Sequence, residues 1–415
     1  ILLEQVKHDL EVRVLERTRE LTIMVQKLES EVSERKSAED KVRFLAERDP
    51  LTHCANRTVL FDYLRETLLH ARYTNKQAAV LFIDLDRFKQ INDSMGHYAG
   101  DNVLRAVAAR LQTIFNDDAL LCRYGGDEFV CVIPELKSAS HLDEIVMYIQ
   151  QALADPFIAN GEEITLSCSA GASLYPDHGT EPGQLIQHAD LAMYSVKQSG
   201  RNRFALFNHQ MIETASERMA MEKRLRGAIQ RNEFSLHYQP KVDIQTGIIS
   251  GLEALIRWQT PDMGNIPPDK FIFIAEDSGQ IVEIGHWLIN EACRQISLWR
   301  SQGVLNVPLS VNLSVRQMRE PSLLNDVKQA MTDHQIKKGW LEFEITESIL
   351  MDQQEQAGIL LGKLQAMGIL IALDDFGTGY SNLSYLERMP IDTIKIDRSF
   401  IHGMLKSRRD IAIIN

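Results

Sequence analysis

Cysteine is scarce in this chain: five in 415 residues, odd in number and scattered. No two of Cys54, Cys122, Cys131, Cys168 and Cys293 stand at metal-ligand spacing, which excludes a cysteine zinc site and argues against a disulfide framework. The expectation is a reduced, cytoplasmic protein with buried thiols. Long apolar runs and a signal-peptide pattern are also missing, so no membrane segment is expected in this stretch; an anchor upstream of Ile1 would lie outside it. Excess positive charge is missing too. The formal net charge is -12, which argues against a partner that is a nucleic-acid polymer or an anionic membrane, but not against a small phosphorylated ligand in a local basic pocket.

Proline and glycine are absent from Ile1 to Arg48. In their place apolar residues recur at three and four spacings: Leu3, Leu10, Val14, Leu21, Val25, Leu28, Val32 and Val42. That pattern predicts a coiled-coil helix over 1–48, with Lys7, Arg17 and Arg35 interrupting the seam. Asp49-Pro50 ends it, because proline disfavours helix at and before its own position. A chain of 415 residues exceeds a single core, so further domains are expected: 49–208, a linker helix at 209–232, and 233–415. Both ends fall inside helical or apolar patterns, and the sequence reads as a piece of a longer protein.

The first domain reads as α/β. A helix is expected over Thr58–Arg72, then an apolar run from Ala78 that ends in Asp84 and Asp86. One helix is expected to carry Asn92, Gly96, His97, Gly100 and Asp101. Two apolar runs joined by Gly125-Gly126 predict a hairpin, with Asp127 and Glu128 directly after the turn. Acids at a strand end and at a tight turn can hold a metal close to a phosphate. Glu163–Gly171 reads as one strand, and Asp190–Tyr194 with Lys197, Arg201 and Arg203 as a helix ending in basic residues.

The set Asp49-Pro-Leu-Thr52, Asp84-x-Asp-x-Phe-Lys89, Asn92-Asp93-x-x-Gly-His97, Gly100-Asp101, Gly125-Gly-Asp-Glu-Phe129 and Gly200-Arg-Asn-Arg203 resembles the GGDEF family of diguanylate cyclases. The resemblance implies a palm-like α/β fold and condensation of two GTP into cyclic di-GMP. It implies Mg²⁺ (or Mn²⁺) on Asp84, Asp127 and the Leu85 carbonyl. Glu128 would bind metal or take the proton. Asn92 and Asp101 would read guanine, and Lys89, Lys197 and Arg201 would hold phosphates. Because one domain holds one GTP, it also implies a homodimer, which the coiled coil would supply. Members often carry an Arg-x-x-Asp product-inhibition motif before the turn. Asn116 and Ala119 stand there instead, so this feedback is expected to be absent.

The second domain alternates strand and helix. Strands are expected at Phe234–Val242, Ile249–Trp258, Val307–Leu313, Leu341–Thr346, Ile369–Leu373 and Thr393–Ile396, with helices at Ile281–Trp299 and Gln356–Met367. Repeated β–α units point to a TIM-like barrel with its chemistry at the strand C-termini. Glu253, Asn312, Glu344, Asp374, Asp375 and Lys395 stand at those ends and read as a metal site with a charged neighbour.

Tyr238-Gln-Pro-Lys241, Glu253-Ala-Leu-x-Arg257-Trp, Val311-Asn-Leu-Ser314, Glu344-x-x-Glu347-Ser, Asp374-Asp-Phe-Gly-Thr-Gly-Tyr-Ser381 and Lys395-Ile-Asp397 resemble the EAL family of cyclic di-GMP phosphodiesterases. The resemblance implies metals (Mg²⁺ or Mn²⁺) on Glu253, Asn312, Glu344, Asp374 and Asp375. Lys395 would orient or deprotonate the attacking water. Glu347 would brace the loop Phe376–Ser381, and Gln239 and Arg257 would contact cyclic di-GMP. Members continue with further strands, including one more glutamate at the metal site, which this sequence lacks; the barrel is therefore expected to miss its C-terminal strands.

The leading expectation is a bifunctional enzyme of cyclic di-GMP turnover. The alternatives are a phosphodiesterase activated by GTP at the first domain, and a non-catalytic cyclic di-GMP receptor.

Overall fold

The computed structural model describes residues 44–115, 119–347, 354–377 and 389–403, with scattered positions between 13 and 42. The seam residues Leu3, Leu10 and Val14, the departure at Asn116, and the loop residues 378–381 lie outside the described residues. The chain divides into two compact units, Ile1–Ala215 and Ser216–Asn415.

The described positions between 13 and 47 are helical, and Arg48 leaves the helix to bridge Ala55. The first unit is then built on a sheet in the order β2-β3-β1-β6-β7. Its strands are β1 (Ala78–Leu85), β2 (Leu120–Gly125), β3 (Glu128–Ile133), β6 (Cys168–Tyr175) and β7 (Phe204–Leu206). β4 (Phe157–Ala159) and β5 (Glu162–Ile164) form a separate hairpin. β1 is antiparallel to both β3 and β6, and all eight of its residues are buried.

That burial follows from side-chain alternation in a sheet covered on both faces. Ala79, Leu81, Ile83 and Leu85 face the helices His97–Phe115 and Ala139–Ala154. Ala78, Val80 and Phe82 face the helices Arg57–Thr74 and Pro182–Gln198. Asp84 is next in the second series, and so falls on the Pro182–Gln198 side. The same parity applies to β3, where Val130 and Val132 belong to that face and Glu128 precedes them.

Two expectations need correction here. The helix through Asn92 and Asp101 is two helices, Phe88–Met95 and His97–Phe115, because Gly96 at φ 84° turns the chain between them. The strand Glu163–Gly171 is split between β5 and β6. Residues 165–167 leave the ladder, and Ser167 bonds to Asp86 instead.

The helix Gln210–Leu225 ends before Gly227, which adopts φ 73°, and so is shorter at its C-terminal end than the pattern to 232 implied. In the second unit β8 (Phe234–Val242) runs antiparallel to β9 (Ile249–Thr260), and β10 (Gly264–Ile266) adds to its far end. β11 (Leu309–Asn312), β12 (Leu341–Thr346), β13 (Leu370–Phe376) and β14 (Thr393–Ile396) continue the sheet in parallel from β9. Among the described residues the sheet runs in the order β10-β9-β11-β12-β13-β14, without a closing pair.

Alternation again sorts the side chains. Leu309, Val311, Leu341, Phe343, Ile345, Ile371 and Leu373 pack with residues of the helices Ile281–Ser301, Leu323–Asp333 and Gln354–Ala366. The intervening residues Ser310, Asn312, Glu342, Glu344 and Asp374 take the other face, which is polar.

Candidate active sites

In the first unit β1 brings Asp84 beside Glu128, its register partner on β3. The Leu85 N–H donates to the Asp127 carbonyl at 3.3 Å, which joins the strand end to the Gly-Gly turn. Lys197 reaches Asp84 from the Pro182–Gln198 helix at 2.6 Å. That helix lies tight on β6. A Cβ at Gly171 would stand 2.0 Å from the Met193 nitrogen, so only glycine permits the approach. Burial pushes Asp84 up to about 6; Lys197 opposes the shift, while Asp127 and Glu128 add to it. Burial also raises Glu128, with Asp190 and Asp127 adding and Lys197 opposing.

Asp86, one step beyond β1, does something different. Its oxygens accept from the Ser167 and Ser169 hydroxyls at 2.7 Å each and from the Asn202 N–H at 3.0 Å. It ties the strand end to β6 and to the turn carrying Arg201. That turn is held in the left-handed region at Arg201 (φ 60°) and Asn202 (φ 48°). Arg201 and Asn202 line a cavity of about 490 Å³ with Arg87, Gln90, Ile91 and Thr165. Lys89, Asn92 and Asp101 are not among its lining residues. Asn92 packs on Gly100, where a Cβ would meet its Oδ1 at 2.0 Å, so this side chain keeps its place only because residue 100 is glycine.

The polar face of the second unit gathers one cluster. Lys395 Nζ donates to Asp374 Oδ2 (2.8 Å), to Glu253 Oε2 (3.4 Å) and to Glu344 Oε2. Asn312 donates to Glu253 Oε1 at 2.9 Å. Burial lowers the Lys395 pKa, but its hydrogen bonds to Asp374 and Glu344 outweigh that and raise it above the usual lysine value. A charged Lys395 held by three carboxylates in this way suits the orienting role of the two expected for it.

Glu344 is 1% exposed, yet its pKa is lowered. Burial opposes that, and hydrogen bonds from Lys241 and Lys395 override it. Asp375 lies on a β-bulge of β13 at φ 53°, with its N–H on Asp374 Oδ1 at 3.0 Å. Glu347 accepts the Gly377 N–H at 3.1 Å, at the start of the glycine-containing loop. Arg257 lines a cavity of about 270 Å³ that also reaches Asn312 and Glu344. Gln239 is exposed on β8, opposite Glu253.

Among the described residues no three acidic, histidine or cysteine side chains close around a point that could hold a metal ion. The donor chemistry nevertheless suits a hard cation. Three carboxylates meet at one ammonium in the second unit, with the Asn312 amide bonded to one of them, and in the first Asp84 meets Lys197. Lys241 and Lys395 offset two of the four negative charges of Glu253, Glu342, Glu344 and Asp374, so a divalent cation fits the remainder.

Comparison with known proteins agrees with the two-unit layout. Residues 46–203 match "Diguanylate cyclase, GGDEF domain" and residues 222–415 match "EAL domain". The chain is a tandem GGDEF–EAL protein. It is 37% identical over 377 residues to the cyclic di-GMP phosphodiesterase PdeR of Escherichia coli, covering 91% of this chain and 56% of PdeR. It is 39% identical over 371 residues to the bifunctional diguanylate cyclase/cyclic di-GMP phosphodiesterase MucR of Pseudomonas aeruginosa, covering 89% of this chain and 54% of MucR. The chain thus spans about half the length of these curated relatives. Among solved structures, Vibrio cholerae LapD, an S helix-GGDEF-EAL protein bound to c-di-GMP, aligns with TM-score 0.58 at 19% identity, over 92% of this chain and 89% of that one. At that identity the likeness concerns the fold.

The GGDEF and EAL motifs were legible in sequence. The roles of Asp86, Lys241, Ser310 and Glu342 were not. Strand parity was the available signal, since Ser310/Asn312 and Glu342/Glu344 are pairs two residues apart on one polar face.

Proposed function

We propose that this chain turns over cyclic di-GMP in both directions. The GGDEF domain condenses two GTP to cyclic di-GMP, and the EAL domain hydrolyses cyclic di-GMP to linear pGpG. The observation that carries the reading is the convergence of Glu253, Glu344 and Asp374 on Lys395, with Asn312 bonded to Glu253. An interior face with this much charge is unfavourable for stability alone, and it suits phosphodiester hydrolysis.

In the EAL domain Glu253, Asn312, Glu344, Asp374 and Asp375 would hold Mg²⁺ or Mn²⁺. Such ions, when bound, supply an activated water and neutralise charge on the phosphate. Lys395 orders the carboxylates, Glu347 holds the loop at Gly377, and Gln239 and Arg257 bind substrate. In the GGDEF domain Asp84, Asp127 and the Leu85 carbonyl would hold the cation. Glu128, with its raised pKa, suits it to proton transfer. Asn92 and Asp101 bind guanine; Lys89, Lys197 and Arg201 bind phosphates.

Two GTP must meet, so the active form is a homodimer. Leu21, Val25, Leu28 and Val32 are 49–63% exposed along the helix, at four-three-four spacing, and a second copy would cover them. We assign 1–48 to this coiled coil, 49–208 to the cyclase, 209–232 to a linker and 233–415 to the hydrolase, with the input arriving from upstream.

The test is chromatography of nucleotides after incubation with Mg²⁺ and either GTP or cyclic di-GMP. Formation of cyclic di-GMP and of pGpG is expected. Binding of cyclic di-GMP with neither substrate consumed would show a receptor. Hydrolysis that GTP stimulates without being consumed would show a GTP-activated phosphodiesterase.

A further inference from the structure

Lys241 on β8 carries a second ammonium to the polar face. Its Nζ donates to Ser310 Oγ at 2.5 Å, Glu342 Oε1 at 2.6 Å and Glu344 Oε1 at 2.7 Å. The Ser310 hydroxyl in turn donates to Glu342 Oε1. Ser310, Glu342 and Glu344 are 1%, 6% and 1% exposed, so the acceptor side of these bonds is shielded from water. Ser310 and Glu342 are register partners on β11 and β12, one layer below the partners Asn312 and Glu344. The two oxygens of Glu344 are therefore divided: Lys241 takes Oε1 and Lys395 takes Oε2.

A glutamate carboxylate turns easily about its last torsion, which has broad and nearly two-fold preferences. Held by Lys395 alone, Glu344 could present either oxygen or swing away. We infer that Lys241 is a positioning residue for the EAL site: with Ser310 and Glu342 it anchors Glu344 Oε1, so that Oε2 always faces the cluster with Glu253 and Asp374. The inference rests on reading the second unit as a cation-dependent hydrolase. The competing role for Lys241 is to neutralise the buried Glu342, which would matter for folding only.

Two variants separate these roles. Lys241→Met removes the anchor but leaves Glu342 beside Glu344 without its cation, and it can fail to fold. Lys241→Met/Glu342→Gln removes both charges, which restores the balance without restoring the anchor. Each is made in the full chain with Asp84→Asn, so that the first site does not contribute. Mn²⁺ binding is followed by electron paramagnetic resonance titration, alongside thermal unfolding and kcat and KM for cyclic di-GMP.

The expected result is that the double variant melts close to its parent but binds Mn²⁺ at least tenfold more weakly. Its kcat at limiting Mn²⁺ falls, and KM for cyclic di-GMP moves less than threefold. Ser310→Ala, which loosens Lys241 without changing charge, gives a smaller loss of Mn²⁺ affinity. Parental Mn²⁺ affinity in the double variant overturns the inference, as does parental affinity in Ser310→Ala if the double variant does not fold. A parent that binds no Mn²⁺ and cleaves nothing overturns the hydrolase reading itself, and the inference with it.

Discussion

Arg123 holds Asp49 and the Gly-Gly turn at once. One guanidinium nitrogen donates to both oxygens of Asp49 at 3.1 and 3.2 Å, and the other two reach the Gly126 carbonyl at 3.0 and 2.8 Å. Asp49 also accepts the N–H and hydroxyl of Thr52, at 2.8 and 2.7 Å. Asp49, two residues past the N-terminal helix, is thus linked through one side chain to the turn that presents Asp127.

Arg123→Ala leaves Asp49 short of its cation and Gly126 short of a donor. A half-buried charged pair of this kind is worth about 1–3 kcal/mol, so denaturant unfolding of the first unit should shift to lower midpoint by that amount. GTP consumption should fall further than stability does. Arg123→Lys keeps the charge but not the fork, and should recover only part of either loss.

Gly171→Ala forces a Cβ to within 2.0 Å of the Met193 nitrogen. The helix carrying Lys197 must move away from β6. Overpacking of this kind typically destabilises by about 1–3 kcal/mol, occasionally more. The expected outcome is loss of GTP turnover with cyclic di-GMP hydrolysis retained, read by chromatography of each nucleotide.

Asp84 makes a pH-dependent contribution whose sign is set by its raised pKa. Between its ordinary value of 3.8 and about 6, the folded chain keeps a proton that the unfolded chain releases. Stability from this group is therefore full below 3.8 and is lost as pH rises through about 6, by about 3 kcal/mol at most. Subtracting the unfolding free energies of Asp84→Asn from those of the metal-free protein at each pH isolates the trend. A difference that rises with pH over this window would contradict the assignment.

Asn116 and Ala119 replace the arginine and aspartate of the product-inhibition motif. In a Glu253→Ala background, where product accumulates, added cyclic di-GMP should leave the initial rate of GTP consumption unchanged within about twofold. Asn116→Arg/Ala119→Asp should make that rate fall as product is added.

How far these residues were legible in sequence depended on the range of their contacts. β8, β12 and β14 have the limits that their apolar runs imply, because there the boundaries are set locally; β11 and β13 depart from the limits expected for them. The break at residues 165–167 is not local: it follows from Asp86, whose serine partners lie 81 and 83 residues away. Lys241 is the extreme case. Its partners stand 69 to 103 residues downstream, so nothing near it in sequence marks it as part of a carboxylate cluster. Glu344 and Asp374 were legible because each is an acid set in or directly after an apolar run, and the EAL and GGDEF motifs supplied roles that geometry alone does not.

The central claim is that two separate sites in one chain make and destroy the same dinucleotide. Its most direct test is one time course with GTP and Mg²⁺, resolving cyclic di-GMP and pGpG, for the wild type, Glu128→Ala and Glu253→Ala. The wild type should yield pGpG, Glu253→Ala should accumulate cyclic di-GMP, and Glu128→Ala should yield neither from GTP while still cleaving added cyclic di-GMP. Loss of both reactions in either folded variant, or no cyclic di-GMP from Glu253→Ala, would contradict the account.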